Sequence, residues 1–122
     1  MNRQQIIQKL TKFLQQRNPT ITDKVNETVF EINNKNNSQV IIIQITEKAD
    51  IWVRLTEPHS GYYCESIEEF KDYFQELIDG NIEVAIGYEK SIWKEKSIVF
   101  TKQYDELDDV YEYVIASWGG QA

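Results

Sequence analysis

The chain has 122 residues, 41% of them hydrophobic and 27% charged, with a formal net charge of −7. That is the composition of one globular domain long enough to close a single core. No apolar stretch approaches the roughly 20 residues that cross a bilayer, so a membrane-spanning helix is excluded.

The charge is unevenly placed. Residues 1–61 carry 8 Lys/Arg against 6 Asp/Glu, whereas residues 62–122 carry 5 against 14. An acidic surface repels nucleic acid and anionic lipid and attracts basic partners. The simpler reading is that acidic faces only keep the chain dispersed. Cys64 is the only cysteine, which excludes an internal disulfide and leaves little basis for a Cys-based zinc site. The start, Met1-Asn2-Arg3-Gln4-Gln5, has no apolar signal core. Together these point to a reducing cytoplasm.

In chain order, Ile6, Ile7, Leu10, Phe13 and Leu14 recur at helical spacing, with Arg3, Gln4, Lys9, Lys12 and Gln16 on the other side. One amphipathic helix of about four turns is expected, ended by Arg17-Asn18-Pro19. A weak extended piece follows around Ile21–Val25. Thr28–Ile32 alternates as a strand, with Thr28, Phe30 and Ile32 on one face. The run Asn33-Asn34-Lys35-Asn36-Asn37-Ser38 is a polar hairpin turn.

Val40–Ile45 is an almost unbroken β-branched run, which predicts a central strand covered on both faces. Glu47-Lys48-Ala49-Asp50 turns the chain. Ile51–Leu55 then alternates as a half-covered strand. Pro58-His59-Ser60-Gly61 breaks the sheet, and Tyr62-Tyr63-Cys64 leads into the next helix. Ser66-Ile67-Glu68-Glu69 has the form of a capping box. Ile67, Phe70, Phe74, Leu77 and Ile78 make that helix's buried stripe, and Gly80 sits at its C′ position.

Ile82–Tyr88 alternates as a one-face-buried strand. Glu89-Lys90-Ser91 turns, and Ile92–Phe100 returns as a strand whose first half, around Trp93, is charged enough for a sheet edge. Leu107, Val110, Tyr111, Val114 and Trp118 follow a helical period, so a last helix over Tyr104–Trp118 is expected, stopped by Gly119-Gly120. The sum is a single α+β domain over residues 1–122, in the order α-β-β-β-α-β-β-α. A mostly antiparallel sheet of about five strands carries the helices.

No motif names a reaction. His59 and Cys64 form no recognisable dyad without a third group. No glycine pattern cradles a phosphate. The Asp105–Asp109 cluster lacks the spaced ligands of an EF-hand loop. Basic residues near Trp93 are interleaved with Glu89 and Glu95, which argues against nucleic acid. The expectation is a non-enzymatic chain without cofactor or metal. What remains is surface: Trp52, Tyr62, Tyr63, Trp93, Tyr104, Tyr113 and Trp118 are too many for so small a core, and Trp and Tyr suit protein interfaces.

In its element order, short length and acidity, the chain resembles class I type III secretion chaperones. That likeness implies a homodimer holding an extended effector segment. In size, acidic second half, surface aromatics and absence of catalytic chemistry it resembles immunity proteins of bacterial toxin systems of the contact-dependent inhibition type. This second likeness implies direct binding to a cognate toxin with a basic surface, by a monomer or weak homodimer. A nuclease toxin has a phosphate-binding cleft, in which carboxylates can stand where the substrate's phosphates lie. The residues expected to supply that surface are Asp105, Glu106, Asp108, Asp109, Glu112 and Tyr113, with Glu68, Glu69, Asp72 and Glu76 as a second face.

Overall fold

The computed structural model describes residues 2–55, 61–89, 95–101, 107 and 111–118. These form an α+β structure of two α-helices and two antiparallel sheets. None of the described helices is long and apolar enough to cross a membrane.

Helix α1 (Arg3–Leu14) starts on a full capping box. The Asn2 side chain accepts from the Gln5 amide at 2.9 Å, and the Gln5 side chain accepts from the Asn2 amide at 3.0 Å. Ile6, Leu10 and Leu14 are its buried stripe. A short 3-10 turn over Gln15–Arg17 leads to Asn18 at φ 50, a left-handed geometry that asparagine tolerates. Pro19 then prevents continuation.

Five strands follow, each antiparallel to the next: β1 (Thr20–Asp23), β2 (Glu27–Asn33), β3 (Val40–Thr46), β4 (Ile51–Leu55) and β5 (Tyr62–Cys64). One face of this sheet is the core. Thr28, Phe30 and Ile32 from β2, Ile41, Ile43 and Ile45 from β3, and Ile51, Val53 and Leu55 from β4 are all buried. The register places Phe30 beside Ile43 and Ile43 beside Val53, so the rows are continuous. Each such aliphatic side chain contributes about 1.5–3 kcal/mol on burial.

The central strand corrects one expectation. β3 is buried on a single face, and its other side, including Ile42 and Gln44, is only half-buried. Its apolar run therefore does not mark a sheet sandwiched by helices. The weak extended piece is the exposed edge strand β1, and Tyr62–Cys64 is a strand rather than a lead-in.

Helix α2 (Ile67–Ile78) lies beside α1 on the covered face. The Phe13 ring meets Phe70 and Phe74 edge-on, each at 5.8 Å between centroids. The Arg17 guanidinium lies 5.4 Å over Phe74, and the Lys71 ammonium 5.3 Å over Phe13. α2 ends in a Schellman motif: Asn81 N–H donates to Glu76 C=O at 2.9 Å and Gly80 N–H to Leu77 C=O at 3.2 Å, with Gly80 at φ 76. Arg3 fastens the start of α1 to the sheet. It donates to the Thr28 hydroxyl at 2.7 Å and the Thr46 carbonyl at 3.2 Å, and Thr28 donates on to Asp23 at 2.7 Å.

The second sheet is three-stranded, in the order β7-β6-β8, from β6 (Glu83–Glu89), β7 (Glu95–Thr101) and β8 (Tyr111–Ala116). Here the last-helix expectation fails over its described part. Residues 111–116 pair antiparallel with β6, Ile86 opposite Val114 and Gly87 opposite Tyr113. The stretch Tyr111-Glu112-Tyr113-Val114-Ile115 satisfies a helical period by spacing, but its aromatic and β-branched content suits a pleated surface. An available partner strand decides between the two. Val84, Ile86 and Ala116 join the same core as the helices and the first sheet, so this sheet is packed on the rest. The returning strand is observed as Glu95–Thr101, and Trp93, like His59 and Gly119-Gly120, lies outside the described residues.

Candidate functional site at the start of helix α2

Of the expected interface residues, Asp105, Glu106, Asp108 and Asp109 lie outside the described residues. Glu112 and Tyr113 stand on strand β8 rather than on a helix. Glu112 is exposed, whereas Tyr113 is half-buried where its partner across the ladder is Gly87. The Tyr113 ring meets the Tyr111 ring edge-on, 6.2 Å between centroids. Of the four residues expected on the second face, three share one side of α2. Glu68, Asp72 and Glu76 are exposed at i, i+4 and i+8, one above another on the solvent side of α2.

Glu69 belongs to a different environment. Ser66 caps the helix, its hydroxyl accepting from the Glu69 amide at 3.1 Å. Among the described residues only this half of the capping box forms. The negative charge of Glu69 instead acts on Tyr62 and Cys64. Burial, then Glu69, raises the Tyr62 pKa. Burial, then Glu69, pushes the Cys64 thiol up to about 12. Cys64 therefore remains a protonated, packed thiol at neutral pH, unsuited to nucleophilic attack. Tyr62 also stacks on Tyr73, centroids 4.1 Å apart and planes within 4°.

Beside this cluster lies a hollow of ≈ 400 Å³. The β3–β4 turn supplies Lys48, Ala49 and Asp50 to its wall, β5 supplies Tyr63, and the entry to α2 supplies Glu65 and Glu68. Tyr63 is 41% exposed, and its hydroxyl reaches Asp50 at 3.4 Å. The Asp50 charge, then burial, raises the Tyr63 pKa. Three carboxylates face one ammonium here. The positive end of α2 counts for about half a charge, and Glu68 and Glu69 in its first turn outweigh it. The net field favours a cation. Among the described residues no group of three or more His, Cys, Asp or Glu is placed to hold a metal ion. A wide, aromatic-walled, carboxylate-rimmed hollow fits an organic cation, a guanidinium or ammonium side chain.

Sequence reasoning found Glu68 but missed its companions Asp50 and Glu65. Asp50 reads as a turn residue and Glu65 carries no local signal; they meet because β5 returns beside β4. The signal was the exposed aromatic Tyr63. No family model, curated protein or solved structure matches this chain.

Proposed function

We propose that this protein binds and neutralises a basic protein, a bacterial toxin of the kind blocked by immunity proteins, by direct contact through the start of α2. The observation that carries the reading is the ≈ 400 Å³ hollow rimmed by Asp50, Glu65 and Glu68 beside the wall of Tyr63. An Arg or Lys of the partner enters it, its aliphatic stem against the ring and its charge among the carboxylates. The outward row of Asp72 and Glu76 extends the negative field along the helix and steers the encounter.

The test uses the intact chain as bait in its native cells, beside a variant carrying Glu65→Lys, Glu68→Lys and Asp72→Lys. The wild type is expected to retain a basic protein whose toxicity on expression is relieved by co-expressing this chain, and the variant is expected to do neither. A variant that protects as well as wild type would remove this face from the interaction. One feature favours the secretion-chaperone reading instead: β1 is an edge strand exposed at every residue, open to strand addition by an extended peptide. A captured partner that binds through an unfolded segment would support that reading over the first.

A further inference from the structure

The face of the five-stranded sheet turned away from the helices is built symmetrically about its middle strand. The register sets Glu31 of β2, Ile42 of β3 and Arg54 of β4 side by side in one row. Glu31 and Arg54 are exposed, and Ile42 between them is half-buried. The next row places Val29 on one side of Gln44 and Trp52 on the other. Trp52 is 37% exposed. Glu31, Ile42 and Arg54 of the first row and Val29 and Gln44 of the second line an open hollow of ≈ 420 Å³. Among the described residues neither Glu31 nor Arg54 has an ion-pair partner.

We infer that this sheet face binds a second copy of the same chain, face to face, about a two-fold axis running along β3. Such an axis exchanges β2 with β4 and leaves β3 on itself. Glu31 then meets Arg54 of the other copy, twice, while Ile42 meets Ile42 and Val29 meets Trp52. A surface carrying one charge of each sign, mirrored across its own centre, is complementary to itself. An all-acidic or all-basic partner would satisfy one charge and repel the other. Sheets stacked this way sit about 10 Å apart with strands within ~30° of each other, so the register holds near the axis and loosens outward. At the margin, Glu27 brings its own counter-charge, with the Lys24 ammonium at 4.0 Å.

The size of the face sets the strength. Five strands at ~4.8 Å spacing cover roughly 500 Å² per copy, about 1,000 Å² in all, the lower bound for a specific interface. The dimer is therefore weak and concentration-dependent. It adjoins the carboxylate hollow along the Trp52–Tyr63 contact, 5.1 Å between centroids, but its charge pairs use none of that hollow's carboxylates, so it does not depend on the partner proposed for it.

Sedimentation velocity of the whole chain, from about 10 μM to about 1 mM, tests this. Wild type is expected to shift from monomer to dimer across the range. Arg54→Glu alone puts two pairs of like charges into the interface, as does Glu31→Arg alone, and each is expected to weaken dimerisation tenfold or more. An equimolar mixture of the two single variants restores both opposite-charge pairs, so the mixture is expected to dimerise where neither variant does. That rescue also shows that both variants are folded. A wild-type chain that stays monomeric throughout, a dimer indifferent to either reversal, or a mixture that fails to associate would each overturn the inference.

Discussion

The Asn34 side-chain amide donates to the backbone carbonyl of Trp118 at 2.5 Å, joining positions 84 residues apart. Asn37 reaches the same carbonyl at 3.4 Å. Asn34 also uses its side-chain oxygen to accept from the Asn36 amide at 2.8 Å, shaping the β2–β3 turn. One residue thus makes a local turn and fastens the end of β8 to the first sheet. Trp118 packs against the common core beside it. The asparagine-rich turn is a clasp as well as a reversal.

Asn34→Asp separates these two roles. The carboxylate still accepts from Asn36 but has no donor for Trp118, and it faces a carbonyl oxygen. We expect a loss of about 1–3 kcal/mol in urea unfolding. Hydrogen exchange should quicken in β8 more than in β3. Equal protection of β8 in the variant and wild type would show that the clasp contributes nothing.

Ala49 occupies a left-handed position, φ 68, in the β3–β4 turn. Its amide donates to Thr46 C=O at 3.0 Å, and the Thr46 amide donates to Asp50 C=O at 3.0 Å, closing the hairpin. Glycine commonly fills such a place. Ala49→Gly is expected to raise stability by up to about 1 kcal/mol, the relieved strain exceeding the added chain entropy. Gly80→Ala is the converse. Nothing crowds a Cβ there, yet φ is 76, so a loss of about 1 kcal/mol is expected. Thermal melts of both variants check the pair.

The two faces of β3 are expected to respond differently. Ile43 is fully buried, so Ile43→Ala leaves a cavity and should cost about 2–5 kcal/mol. Ile42 is half-buried on the open face, so Ile42→Ala should cost about 1 kcal/mol in the monomer. Equal losses in dilute solution would contradict a one-sided core.

Cys64, Tyr62 and Tyr73 ionise less readily folded than unfolded, chiefly because they are buried. For groups that become anionic, a raised folded pKa keeps the proton on the native state. The unfolded thiol loses its proton near pH 9.0, whereas the folded one holds it to about 12. Stability is therefore full below pH ~9 and falls as pH rises toward 12. The urea midpoint, measured from about pH 8 to 11, should decline steadily. At pH ~8 the native thiol should react with iodoacetamide about a thousandfold more slowly than the unfolded one. Comparable rates would place Cys64 in solvent.

Much of this was legible beforehand. Most of the α1 and α2 stripes, the inward set Thr28, Phe30 and Ile32, and the role of Gly80 are local patterns that the structure repeats. Phe13 of the α1 stripe, however, is 37% exposed, and Tyr73 joins the buried side of α2. What local pattern misjudged was pairing. Residues 111–116 fit a helix by spacing and a strand by composition, and β6 settled the matter by offering hydrogen bonds along its edge. The carboxylate hollow was half visible, through Glu68 and Tyr63. Its other members, Asp50 and Glu65, are brought together by the return of β5 beside β4.

By itself the sequence determined the main buried residues of α1, α2 and β2, because their burial follows the periodicity of a single element. It did not determine how many faces a strand would have covered: β3 is covered on one face where both were expected, and β6 is buried along both where one was expected. Only the tertiary structure decided which elements lie side by side: which face of β3 is open, what Asn34 holds, and where Asp50 meets Glu65 and Glu68. Those relationships join residues remote in the chain, and their energies come from contacts that exist only after the sheets have paired.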